Sequence, residues 1–177
     1  MLFRARGAEQ PAAVRFGGDD DAFAFRREGA MYVAEVRASR ERATDLYAAL
    51  IEQMPPVVDF SVECVRSGRR FVGEGLERSE VRDAVARMTV PLVASAGVEL
   101  SVYRDDEQLS LSAMLDVWVY ARTDRWLYLL QGSGVEERAD LPARGWTIRR
   151  EEFCGAPEMV GAVTSAAQRL TLHEVDA

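Results

Sequence analysis

Between Ala43 and Cys64 the spacing of apolar side chains changes abruptly, and Pro55-Pro56 marks the change. Before it, Ala43, Leu46, Tyr47, Leu50, Ile51 and Met54 recur every three or four residues, the stripe of a helix laid on a core. After it, Val57 to Arg66 alternates, with Phe60, Val62 and Cys64 on one side of an extended chain. Two successive prolines cannot continue the helix. A chain that switches period within one short stretch packs a helix against a sheet.

The same grammar extends in both directions. Ala22–Arg26 and Met31–Arg37 flank Glu28-Gly29 and read as a hairpin. Ser39 is placed to cap the predicted helix over 40–54. The strand over 57–66 returns through Ser67-Gly68 into 69–75. A second helix is predicted over 80–96, capped by Ser79, with Val81, Ala84, Val85, Met88, Leu92 and Val93 as its stripe. Pro91 is expected to kink or break it, and Gly97 to end it.

Strands are then predicted over 98–103, 109–121, 125–131 and 146–153, with a loop from Gly132 to Ala143. Pro157 opens a final helix with Met159, Val160, Val163, Ala166, Ala167 and Leu170 inward. The order β-β-α-β-β-α-β-β-β-β-α, with short links, predicts an α+β fold: a mainly antiparallel sheet with about three helices on one face. This domain is expected over 22–177. Residues 1–21, with Gly7, Pro11, Gly17, Gly18 and Asp19-Asp20-Asp21, are expected to form a flexible or loosely docked tail.

A chain of 177 residues suffices for one core. With 48% hydrophobic and 29% charged residues, it has the balance of a globular protein rather than a disordered one. Its 22 basic residues are all arginine, and asparagine is missing too, which points to a GC-rich bacterial genome. Without lysine there is no Schiff-base chemistry and no phosphate-loop lysine, and without asparagine no N-glycosylation. A net charge of −7 opposes binding to nucleic acid or to an anionic membrane, and suits a basic partner. Met1–Arg6 lacks the apolar run of a secretory signal, and no segment reaches membrane-span length. A soluble, cytoplasmic protein is expected.

The residue types for catalysis are few. His173 is the single histidine, expected in a solvated C-terminal segment. Cys64 and Cys154 lie far apart and form no C-x-x-C. Gly132-Ser133-Gly134 lacks the flanking glycines of a nucleophile elbow. Gly73-Glu74-Gly75 has Arg78 where a dinucleotide fingerprint needs its third glycine, and reads as a bulge or turn. Asp59 and Glu63 share a strand face with Ser61 between them, read as a solvated or helix-paired face rather than a catalytic pair. No catalytic residue, metal ligand or cofactor is therefore assigned. Arg66, Arg69 and Arg70 form a small basic patch around one turn, able to clamp an anion or simply to guard a strand edge.

The segments Leu115–Tyr120 and Trp126–Leu130, read as a hairpin, are apolar on both faces. Two-sided burial needs a cover, either from the same chain or from a partner. Trp118, Tyr120, Trp126 and Tyr128 are the residue types that interfaces favour, and are the expected partner-binding set. The leading expectation is a non-enzymatic partner-binding protein, such as a small regulator, an immunity-type inhibitor or a chaperone, engaging a protein partner or a second copy. The alternatives are a small-ligand-binding or sensor domain, and a carboxylate-dependent hydrolase or transferase.

Overall fold

The computed structural model describes residues 21–142 and 157–175. Two hairpins, each followed by a helix, set the frame. Strands β1 (Ala22–Glu28) and β2 (Met31–Arg37) pair antiparallel and lead into α1 (Arg40–Ile51). Ser39 does cap that helix, its side chain accepting from the Arg42 amide at 3.2 Å. Strands β3 (Val57–Cys64) and β4 (Arg69–Glu77) repeat the arrangement before α2 (Arg78–Ser95). A meander of β5 (Val98–Arg104), β6 (Glu107–Leu111) and β7 (Val117–Ala121) fills the space between the hairpins. Then come α3 (Arg125–Gly132), β8 (Glu136–Glu137), α4 (Pro157–Arg169) and β9 (His173–Val175).

The strands form one sheet in the order β8-β1-β2-β7-β6-β5-β3-β4-β9. All pairings are antiparallel except the short β1–β8 contact. The fold is thus α+β, with four described helices and nine described strands. Helix α2 packs between α1 and α4, with α2 over β3 and β4, α4 over β3 and α1 over β6. Helix α3 is tied to α1 at both ends: Arg42 donates to the Ser133 carbonyl, and Arg125 to the Gln53 carbonyl at 3.0 Å. Alternate strand residues, among them Phe23, Val36, Phe60, Val62, Leu100, Val102, Leu109 and Val117, are buried with Tyr47, Leu50, Met88 and Leu92 of the helices in one core. No described helix is long and apolar enough to cross a membrane.

The structure corrects the sequence reading in several places. The strand expected over 109–121 is two strands, because Ser112 Oγ accepts from the amides of Met114 and Asp116 at 3.2 and 3.0 Å and turns the chain. The strand expected over 125–131 is helix α3. Trp126-Leu127-Tyr128-Leu129-Leu130 contains no β-branched residue, and leucine is a good helix former. Helix α2 begins at Arg78 rather than after Ser79, and it runs on through Pro91 as one element. His173 lies not in a loose tail but on β9, paired with Val72. The strand expected over 146–153 and all but Asp21 of the tail expected over 1–21 lie outside the described residues; Asp21 Oδ1 accepts from the Ser39 amide at 3.1 Å.

Candidate functional site

The side chains that alternate with the core residues point to the other face of the sheet, where no described helix packs. Strand register lines them up across the molecule. One row runs Glu35, Trp118, Ser110, Ser101, Ser61, Val72, His173. The next runs Val33, Tyr120, Gln108, Tyr103, Asp59. On the opposite side of the serines, Glu99, Glu63, Arg70 and Val175 stand in register.

The centre of this face is therefore built from small side chains and its rim from large ones. With neighbouring strands about 4.8 Å apart, Ser110, Ser101 and Ser61 make a floor about 10 Å wide. Ser101 and Ser110 share a hydroxyl hydrogen bond of 2.8 Å, and Gln108 Nε2 donates to Ser110 Oγ at 2.8 Å. Trp118 and Tyr120 stand on one side with ring planes 11° apart and centroids at 6.2 Å. The Arg26 guanidinium sits 5.9 Å from the Trp118 ring centroid, a cation–π arrangement. Tyr103 stands beside the floor on β5, half-buried.

Carboxylates dominate the charge. Glu35, Asp59, Glu63, Glu74, Glu99 and Asp116 belong to this face and its margins, against Arg26, Arg37, Arg70 and Arg104. Arg37 pairs with Glu35 at 2.7 Å and reaches Asp116 at 3.9 Å. Asp59 Oδ1 accepts from the Gly75 amide at 2.8 Å and lies 3.8 Å from Arg104. That first bond fixes the β4 bulge, where Gly75 takes φ +65° and the register slips between Val58 and Phe60. Gly73-Glu74-Gly75 is thus the bulge its sequence suggests. Burial pushes the Tyr103 phenol pKa up, and the nearby Asp59 and Glu74 push the same way against Arg70. Tyr103 is therefore a neutral hydrogen-bonding group over the physiological range.

Of the aromatic residues singled out in the sequence, Trp118 and Tyr120 meet on this face and the other two do not join them. Trp126 is fully buried under α3, where its Nε1 has no acceptor among the described residues. Tyr128 stands on the outside of α3, 63% exposed. The arginine patch also divides. Arg69 forms a two-pronged pair with Glu174 at 2.8 and 2.9 Å, while Arg70, the next residue on the strand, points to the opposite face. Arg66 is exposed in the turn. Cys64 is a buried free thiol in the core, and Cys154 lies outside the described residues. Among the described residues no group of three or more His, Cys, Asp or Glu side chains is arranged to hold a metal. Tyr103, Ser101 and Ser110 drew no attention in the sequence, and Ser61 only as the residue between Asp59 and Glu63. The only signal was their alternation with core residues, and it carries no information on which strands neighbour one another.

No protein-family model matches the chain, and no curated protein or solved structure matches it either.

Proposed function

We propose that this is a non-enzymatic partner-binding protein whose sheet face, free of described helices, receives a segment of another protein bearing arginine or lysine side chains. The observation that carries the reading is the serine floor at Ser110, Ser101 and Ser61 with Trp118, Tyr120 and Tyr103 around it. A floor about 10 Å wide matches the width of a helix or an extended segment. Aromatic rings beside an excess of carboxylates favour a cationic guest by cation–π attraction and by charge complementarity. The overall charge of −7 disfavours a second copy of the same chain as that guest.

A carboxylate-dependent reaction finds less support. Asp59 and Glu63 are four residues apart on one strand, so their Cα atoms are about 13 Å apart, and their side chains would have to lean together to reach the carboxyl separations of about 5–9.5 Å used in glycoside hydrolysis. Asp59 is also engaged by Gly75 and Arg104.

The test is site-directed photo-crosslinking in cells, with the reactive group placed at position 110 on the serine floor or at Val90, 79% exposed on α2. The expected result is a crosslink from position 110 alone, to a peptide rich in arginine or lysine, that Trp118→Ala diminishes. Equal crosslinking from both positions, crosslinking to a second copy or to the chain itself, or no crosslink from position 110 overturns the proposal.

A further inference from the structure

The helix layer holds a second feature, unrelated to the sheet face. Helices α2 and α4 are separated on their outer side by a groove of about 490 Å3, lined by Ala84, Arg87 and Met88 on α2 and by Glu158, Gly161, Ala162, Ser165, Ala166 and Arg169 on α4. This volume is in the range of small-molecule sites. Most of the described arginines meet a carboxylate, although Arg27 and Arg70 elsewhere on the surface do not. Arg26, Arg37, Arg69, Arg78, Arg82, Arg104, Arg122 and Arg125 each meet a carboxylate. Arg87 and Arg169 make no ion pair and no hydrogen bond among the described residues, although the protein carries an excess of acid, and both line this one groove.

Gly161 gives an independent indication. Glycine within a helix weakens it relative to alanine. Gly161 is an exposed position of α4. At Gly161 a Cβ would meet nothing within 4 Å, so no contact within the protein requires it. What its missing side chain preserves is open space in the groove, beside Ala162 and Ala166.

From these observations we infer that the α2–α4 groove is a binding site for a small organic anion, with Arg87 and Arg169 as the groups that hold its carboxylate or phosphate oxygens. The guanidinium fork matches either oxyanion through paired hydrogen bonds. Ser165 supplies a hydroxyl in the same groove, and the Gly161–Ala166 floor lets the ligand body lie against the helix. Glu158, also in the lining, repels negative charge and so favours ligands whose anionic group stands away from it.

The site is tested by titrating the isotope-labelled full chain with inorganic phosphate and, separately, with citrate at constant ionic strength, following amide resonances. Saturable shifts are expected at Gly161, Ala162 and Ser165 with at least one probe, and the probe that binds separates phosphate from carboxylate recognition. Arg87→Gln with Arg169→Gln is expected to weaken binding by about tenfold or more. Gly161→Leu is expected to abolish it by filling the groove while the helix is kept. Should the double variant fail to fold, Gly161→Leu decides alone. The inference is overturned if neither probe gives saturable shifts in the groove at millimolar concentration. It is equally overturned if the shifts survive these substitutions, or if they appear equally around exposed Arg27 and Arg122 as an adventitious ion would produce.

Discussion

The two faces of one sheet have been put to different uses. On the helix side, Phe60, Val62, Leu100, Val102, Leu109 and Val117 are closed over by α1, α2 and their neighbours. On the other side, the residues that alternate with them are serines, carboxylates and a few half-buried aromatics. A strand buried on both faces reads as a continuous apolar run, while one with a single packed face alternates. Strands β3, β5 and β6 alternate, so folding is accounted for by one side and leaves the other side's composition free to be set by something else. The contrast teaches that a sheet's stability and its recognition surface can be written into the same strands at alternate positions, with little competition between them.

The contrast gives an ordered set of expected effects. Phe60→Ala, which empties a site fully enclosed on the helix side, is expected to cost about 3–5 kcal/mol by denaturant unfolding. A loss under 1 kcal/mol would mean that the helix side is not the main source of stability. Gly73→Ala tests the margin of that core, because a Cβ there would stand 2.5 Å from Leu172 Cδ2. It is expected to cost about 1–3 kcal/mol and to loosen β9, which follows Leu172, with faster amide exchange at His173–Val175. Ser101→Ala, at the centre of the opposite face, removes one hydroxyl hydrogen bond and is expected to change stability by about 1 kcal/mol or less.

The smallest effect concerns pH at the β9 edge. Arg69 draws the Glu174 pKa below its ordinary value, chiefly through their hydrogen bonds. A carboxylate whose pKa is depressed by folding adds stability above the unfolded value of about 4.3, and that stability is lost as pH falls through the depressed value. The pair is exposed, so its contribution is small. Fraying of β9 on acidification, seen by amide exchange and absent from Glu174→Gln, is the expected signature.

Much of the fold was legible because its signals are local. The helical stripe before Pro55, the Ser39 cap, the two hairpins and the Pro157 helix each depend on residues close in sequence. The failures have local causes as well. The aromatic content of Trp126–Leu130 suggested a strand, although leucine and the lack of β-branching favour the helix observed. The Ser112 turn that divides β6 from β7 depends on one side chain accepting two amides, a pattern any serine can make or not. The short β8 and β9 are built by docking onto β1 and β4 rather than by their own propensity.

The site was legible only in part for a different reason. Trp118 and Tyr120 stood out by residue type. Ser61, Ser101 and Ser110 carry no signal of their own, because what makes them a floor is the adjacency of β3, β5 and β6. The β3–β5 pairing crosses α2 in sequence, and no periodicity within a strand reports it.

The central claim, that the serine-floored face recognises rather than stabilises, is tested most directly by one doubly substituted chain, Trp118→Ala with Tyr120→Ala, compared with the natural chain for both thermal unfolding and quantitative recovery of the crosslinked partner. The account predicts a chain that still unfolds cooperatively, with its stability lowered by less than Phe60→Ala lowers it, and partner recovery reduced by about tenfold or more. A chain that no longer folds, or one that keeps its partner in full, would contradict it.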